Sequence, residues 1–135
     1  MSGKRLFFYA ALIFSLLLAD AKSNVLLAQS LKNTSEEDRL TDKLFELKEI
    51  KKLDKELKKY KANASFMTRE TPSVQSPYYE ISVGYNGPWH YETRYWFRIK
   101  NSYVNKEDIR PYLEVLDVVS GNYISLAKFR KAHRN

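Results

Sequence analysis

The sequence predicts an α+β fold: a long N-terminal amphipathic helix (about 34–61), then a small antiparallel β-sheet module of about four strands with a short C-terminal helix. Three observations carry this expectation. Apolar residues recur at steps of three and four from Leu40 to Tyr60, and the period drops to two from Tyr79 onward. Twelve of the nineteen aromatic residues lie after residue 76, which places the core in the second half of the chain.

Before any of these elements, Lys4 and Arg5 precede an apolar run from Leu6 to Leu18, followed by Ala19-Asp20-Ala21. A charged start, an apolar segment of about 13 residues and a small-x-small exit make residues 1–21 a secretory signal peptide. Cleavage after Ala21 fits the pattern best, with Ala28 as a second candidate. The run falls short of the roughly 20 apolar residues that span a bilayer, so no transmembrane segment is expected in the mature chain. Cleavage would lower the net charge from +7 to +6 by removing Lys4, Arg5 and Asp20. The chain has no cysteine, so neither a disulfide nor a lipidated cysteine is available and packing alone must hold the exported protein. The expected location is the periplasm or the exterior of a bacterial cell.

Residues 22–33 read as a flexible mature N-terminus. The helix (34–61) opens with Thr34 and Glu37, or Ser35 and Asp38, in capping-box spacing. Acidic residues gather at its start and Lys58, Lys59 and Lys61 at its end, both favourable to the helix dipole. Its apolar stripe is Leu40, Leu44, Leu47, Ile50, Leu53, Leu57 and Tyr60, narrow and coiled-coil-like. Three successive steps of three disturb the heptad between Leu44 and Leu53. A stripe this long is costly to leave in water, so it predicts either packing on its own domain or self-association through these seven residues. The lysines between Lys51 and Lys59 read as a solvated helix face.

Residues 62–76 have the polar, Ser/Thr-rich composition of a linker, and residues 77–135 form the aromatic-rich module. Tyr79, Ile81, Val83 and Tyr85 alternate with polar or small residues, as a half-buried strand requires. Asn86-Gly87-Pro88 signals a turn. In the returning strand, Tyr91, Thr93, Tyr95, Phe97 and Ile99 share one face. Glu92, Arg94, Trp96, Arg98 and Lys100 share the other. Residues 109–119 have both helical and strand signals. The β-branched Val115, Val118 and Val119, with Asp117-to-Gly121 as a turn, favour a second hairpin, Tyr112–Asp117 with Asn122–Ile124. Ser125 then caps a terminal helix, Leu126–His133.

The chemistry-bearing residues are few. His90 and His133 are the only histidines, and His90 with Glu92 supplies two of the three or four ligands that zinc needs. No phosphate loop, nucleophile elbow or zinc-protease motif occurs, so no cofactor, metal site or catalytic set is expected. A small hydrolase using His90 and a carboxylate is a remote alternative. The candidate partner-binding residues are Trp89, His90, Arg94, Trp96, Arg98 and Lys100, joined by the terminal cations Lys128, Arg130, Lys131 and Arg134. An exposed Trp flanked by guanidinium groups can stack on a flat ring while the cations meet an acidic group. The expectation is an exported, non-catalytic binding or assembly protein of the cell envelope. Its helix would mediate oligomerisation or docking and its β-module would contact a protein partner. The alternative is a basic polyanion binder that takes lipopolysaccharide, acidic glycan or nucleic acid on Arg94, Trp96, Arg98 and Lys100.

Overall fold

The computed structural model describes residues 36–133, together with the isolated Val25. The expected signal peptide, residues 22–33 apart from Val25, the capping residues Thr34 and Ser35, and Arg134 lie outside the described residues. Among the described residues the architecture is α+β, with three α-helices and one five-stranded antiparallel sheet. In chain order, helix α1 covers residues 36–45 and α2 covers Lys48–Lys58. Strands β1 (Ser65–Glu70), β2 (Tyr78–Asn86), β3 (Tyr91–Lys100), β4 (Glu114–Asp117) and β5 (Asn122–Ser125) follow, and α3 (Leu126–Ala132) closes the fold. Each strand pairs with its neighbours in sequence, so the sheet is a simple meander, β1-β2-β3-β4-β5.

The single helix expected over 34–61 is instead two helices, broken at Glu46 and Leu47. Leu47 is extended (φ −67°, ψ 138°) and restarts the chain as the N-cap of α2. The apolar stripe gives the reason. At 3.6 residues per turn, each step of three falls about 60° short of a full turn, and three such steps in succession turn the stripe far from Leu40. A continuous helix would point Leu40 and Leu53 in widely different directions. With the break at Leu47, Leu40, Leu44, Leu47, Ile50, Leu53 and Leu57 are all buried in one core. Tyr60, the last member of the expected stripe, lies beyond α2 and is 81% exposed. There the chain leaves the helix through Lys61 in the left-handed region (φ 58°), and the Ala62 amide donates back to the Leu57 carbonyl at 3.1 Å.

A second correction concerns strand number: five, where about four were expected. The additional strand, β1, lies within the stretch that reads as linker by composition. It pairs antiparallel with β2, Phe66 opposite Val83 and Thr68 opposite Ile81. Phe66 supplies the anchor, packing on the core and tilting against Phe45 of α1 with ring centroids 6.2 Å apart. Asp54 ties the entry to β1, accepting from the Ala64 amide at 3.0 Å while it pairs with Lys58 at 2.7 Å.

The β4–β5 hairpin lies where the valines and Gly121 place it. Gly121 takes φ 70°, and its amide donates to the Asp117 carbonyl at 2.8 Å. The stretch 109–119, with its mixed helical and strand signals, divides: Arg110–Tyr112 is a single 3-10 turn, so Tyr112 lies outside the strand expected to begin there, and the chain is extended from Leu113. Ser125 caps α3 and accepts from the Lys128 amide at 3.3 Å.

All the buried hydrophobic strand residues share one face of the sheet. Tyr79, Ile81, Val83, Phe97, Ile99 and Val115 meet the leucines of α1 and α2 and Leu126 of α3. The Tyr79 hydroxyl donates to Glu36 at 2.9 Å, so α1 is bound to the sheet by a buried hydrogen bond as well as by apolar contact. Burial, then the hydrogen bond to Glu36 and the charges of Glu36 and Glu37, pushes the Tyr79 phenol far above its ordinary value.

Candidate functional site

The face of the sheet away from the helices is set by the register of β3. Trp96 stands opposite Ser82, Arg98 opposite Glu80 and Glu114, and Lys100 opposite Tyr78. On the far side of β4, Leu116 stands opposite Tyr123. Directly opposed residues share a face, so Tyr78, Glu80, Trp96, Arg98, Glu114 and Tyr123 form one surface.

Arg98 is its centre. Its Nε donates to the Glu114 carboxylate at 2.6 Å, and its guanidinium lies over Tyr78 (4.6 Å) and Tyr123 (4.2 Å). A cation held between two rings and fixed by a carboxylate is a rigid element in the plane of the sheet. Lys100 adds a second cation 5.9 Å from the Tyr78 ring. Burial pushes the Tyr123 phenol up, with the charge of Glu80 adding to it against the opposing charge of Arg98. Trp96 lies beside this cluster, half-buried, across from the buried Ser82. The Tyr91 hydroxyl donates to the Ser65 carbonyl at 2.8 Å and lies 3.3 Å from that of Ser82, tying the end of β3 across β2 to β1.

Not every candidate from the sequence lies here. The pairing of β2 with β3 shifts between Val83 and Gly84: Val83 opposes Tyr95, whereas Gly84 opposes Thr93. Arg94 is the extra residue of a β-bulge, and a bulge reverses the facing of everything before it. Tyr91 and Thr93 therefore leave the helix side, where strict alternation puts them, and Arg94 leaves the Trp96–Arg98–Lys100 surface. Arg94 instead stands over Tyr85 at 5.6 Å and lines a hollow with Lys52, Glu56 and Tyr60 of the helical side. Gly84 makes the bulge sterically feasible, because a Cβ there would lie 1.9 Å from the Glu92 carbonyl oxygen.

Trp89 and His90 occupy the tip of the β2–β3 hairpin, closed by the Gly87 amide donating to the His90 carbonyl at 2.9 Å. Trp89 is 93% exposed. His90 Nε2 is 2.8 Å from the Glu92 carboxylate. In the terminal cluster, Lys128 and Lys131 are exposed, while Arg130 makes a two-point bond to Glu49 of α2 at 2.8 and 2.9 Å. Burial pushes the Glu49 carboxyl up. The hydrogen bonds and charge of Arg130, helped by Lys48, outweigh it and hold the group below its ordinary value. The candidate helix interface, apart from Tyr60, is part of the intramolecular core.

The structure thus gathers Trp96, Arg98 and Lys100 on one surface, sets Trp89 and His90 at a loop tip, and sends Arg94 to the helical side. Tyr78 and Tyr123 join the site, although the sequence did not single them out. Tyr78 was accessible from the period of β2, whereas Tyr123 depends on the β3–β4–β5 register, which no local pattern encodes. Among the described residues no group of three or more His, Cys, Asp or Glu could hold a metal ion, and no helix is long and apolar enough to cross a membrane. No protein-family model, curated protein or solved structure matches the chain.

Proposed function

We propose that this chain is an exported, non-catalytic binding protein of the bacterial cell envelope. It would contact a protein partner through the sheet face around Trp96 and Arg98 and through the Trp89 hairpin tip. The observation that carries this reading is the position of its two tryptophans. Trp89 is 93% exposed, and Trp96 stands on the face that contributes no buried hydrophobic residue to the core. Tryptophan is highly buried on average, and Trp, Tyr and Arg are the residues that dominate binding energy at protein interfaces. The sandwich of Arg98 between Tyr78 and Tyr123 supplies the same residue types already held in place, which lowers the cost of ordering them on binding.

Two features favour a protein over a polyanion on this surface. Arg98 is neutralised by Glu114, and Arg94 lies on the other side of the sheet, so the expected row of cations is reduced to Lys100. The helix stripe supports assembly less than the sheet does, because six of its seven residues are covered within the chain. The test is site-specific photo-crosslinking in producing cells, with a benzophenone side chain placed in turn at Trp96, Tyr123 and the exposed Lys55 of α2. A discrete crosslinked species from the two sheet positions and none from Lys55 is the expected result. Crosslinks confined to Lys55 would refute the reading.

A further inference from the structure

We propose a second binding site, on the helical side of the molecule, for an organic anion that carries an acidic head on a flat or extended apolar body. It is independent of the sheet face. Two hollows of about 520 and 390 Å³ adjoin between α2, β3 and α3, and both are lined by Lys52 and Tyr95. Each lies within the roughly 300–1,000 Å³ of small-molecule sites.

Charge in the groove is unbalanced. Lys48, Lys52, Arg94 and Arg130 line it with Glu49 and Glu56 as the carboxylates. Glu49 is already engaged by Arg130 at two points. Three cations therefore remain against Glu56 alone, and none of Lys48, Lys52 and Arg94 has an ion pair among the described residues. Arg94 reaches this side only because the β-bulge turns it from the opposite face. Cations facing one another across a concave surface attract an anion more strongly than the same charges spread over a helix.

The floor is aromatic. Tyr95 meets Phe129 edge-on with centroids 6.3 Å apart, and His133 stacks on Phe129 at 4.2 Å. Burial, then the charges of Glu49 and Glu56, raises the Tyr95 phenol, so at neutral pH its hydroxyl is a donor. An apolar body would lie against Tyr95 and Phe129 while a carboxylate, sulfonate or phosphate takes the charge-assisted bonds of Lys52 and Arg94.

The probe is 8-anilinonaphthalene-1-sulfonate, a naphthalene ring with one sulfonate, titrated against the folded chain by fluorescence. Saturable binding that weakens as sodium chloride is raised is expected. Lys52 and Arg94 are both exposed, so their replacement leaves the core intact. The double variant Lys52→Ala/Arg94→Ala loses both charge-assisted bonds and is expected to bind at least about tenfold more weakly, tenfold being roughly the effect of losing one. Lys52→Arg should retain affinity, and Trp96→Ala should leave it unchanged. Equal affinity in the double variant and the parent would overturn the proposal. So would a loss of binding in Trp96→Ala, which would move the probe to the sheet face, or an absence of saturable binding to the parent.

Discussion

Strand β3 offers two surfaces made from alternate residues of the same few positions. On one, Phe97 and Ile99 are each 1% exposed beneath helices. On the other, Trp96 and Arg98 are half-buried and Lys100 is exposed. The first surface holds the fold by excluding water, contributing roughly 1.5–3 kcal/mol for each large apolar side chain removed from solvent. The second is held by lateral contacts within the sheet, such as the Arg98–Glu114 bond and the rings on either side of it. Cross-strand contacts of that kind are worth only about 0.2–1 kcal/mol each. Stability thus rests on one face of the sheet and the proposed recognition surface is the other, and the bulge at Arg94 is where a residue passes between them.

That division can be attacked first at the bulge. Gly84→Ala forces a Cβ into the Glu92 carbonyl and is expected to cost about 3 kcal/mol or more, read as a lowered midpoint in guanidinium unfolding. A near-neutral Gly84→Ala would mean that the bulge, and the exchange of faces at Arg94, does not form. Next in size is Asp54→Ala. It removes the acceptor of the Ala64 amide and the partner of Lys58, and its expected cost is about 1–3 kcal/mol by the same measurement. An unchanged midpoint would show that β1 is held by its strand pairing and Phe66 alone.

The α2–α3 tie gives a pH-dependent version of the test. Glu49 has a lowered value in the folded chain. Its contribution is therefore full above the ordinary glutamate value and is lost as pH falls through the lower, folded one. Glu49→Gln is expected to cost about 1 kcal/mol at pH 7, and the difference from the parent should vanish under acid conditions. A difference that persists unchanged at low pH would assign the effect to packing. The smallest expected change is a gain. Lys61 holds a left-handed conformation that suits glycine, so Lys61→Gly should raise stability by up to about 1 kcal/mol without touching either sheet face.

The sequence carries those parts of this arrangement that depend on near neighbours. The β2–β3 pairing, the Asp117-to-Gly121 turn and the Ser125 cap each follow from a few adjacent residues, and each is present. The break at Leu47 was encoded too, in the three successive steps of three, although a single helix absorbs that irregularity until the sheet requires Leu40 and Leu53 on one side. The strand at Ser65–Glu70 is formed by its partner. Its own residues alternate weakly, and the free edge of β2 supplies the pairing. The bulge depends on one glycine whose steric role appears only once Glu92 lies against it. For the same reason, part of the candidate site was legible and part was not. Trp96, Arg98 and Lys100 follow from the period of β3 beyond the bulge, whereas Arg94 and Tyr123 take their places from the register between strands.

The most direct measurement uses adjacent residues of β3 that face opposite ways. The free energies of unfolding of Phe97→Ala and Trp96→Ala are compared with the parent's by guanidinium titration, followed by the far-ultraviolet circular dichroism of the backbone so that loss of a tryptophan does not remove the probe. Phe97→Ala is expected to lose about 3–5 kcal/mol. Trp96→Ala should lose no more than about 1 kcal/mol, the scale of a cross-strand contact. Comparable losses in the two variants would place Trp96 in the stabilising core and contradict the separation of the two faces.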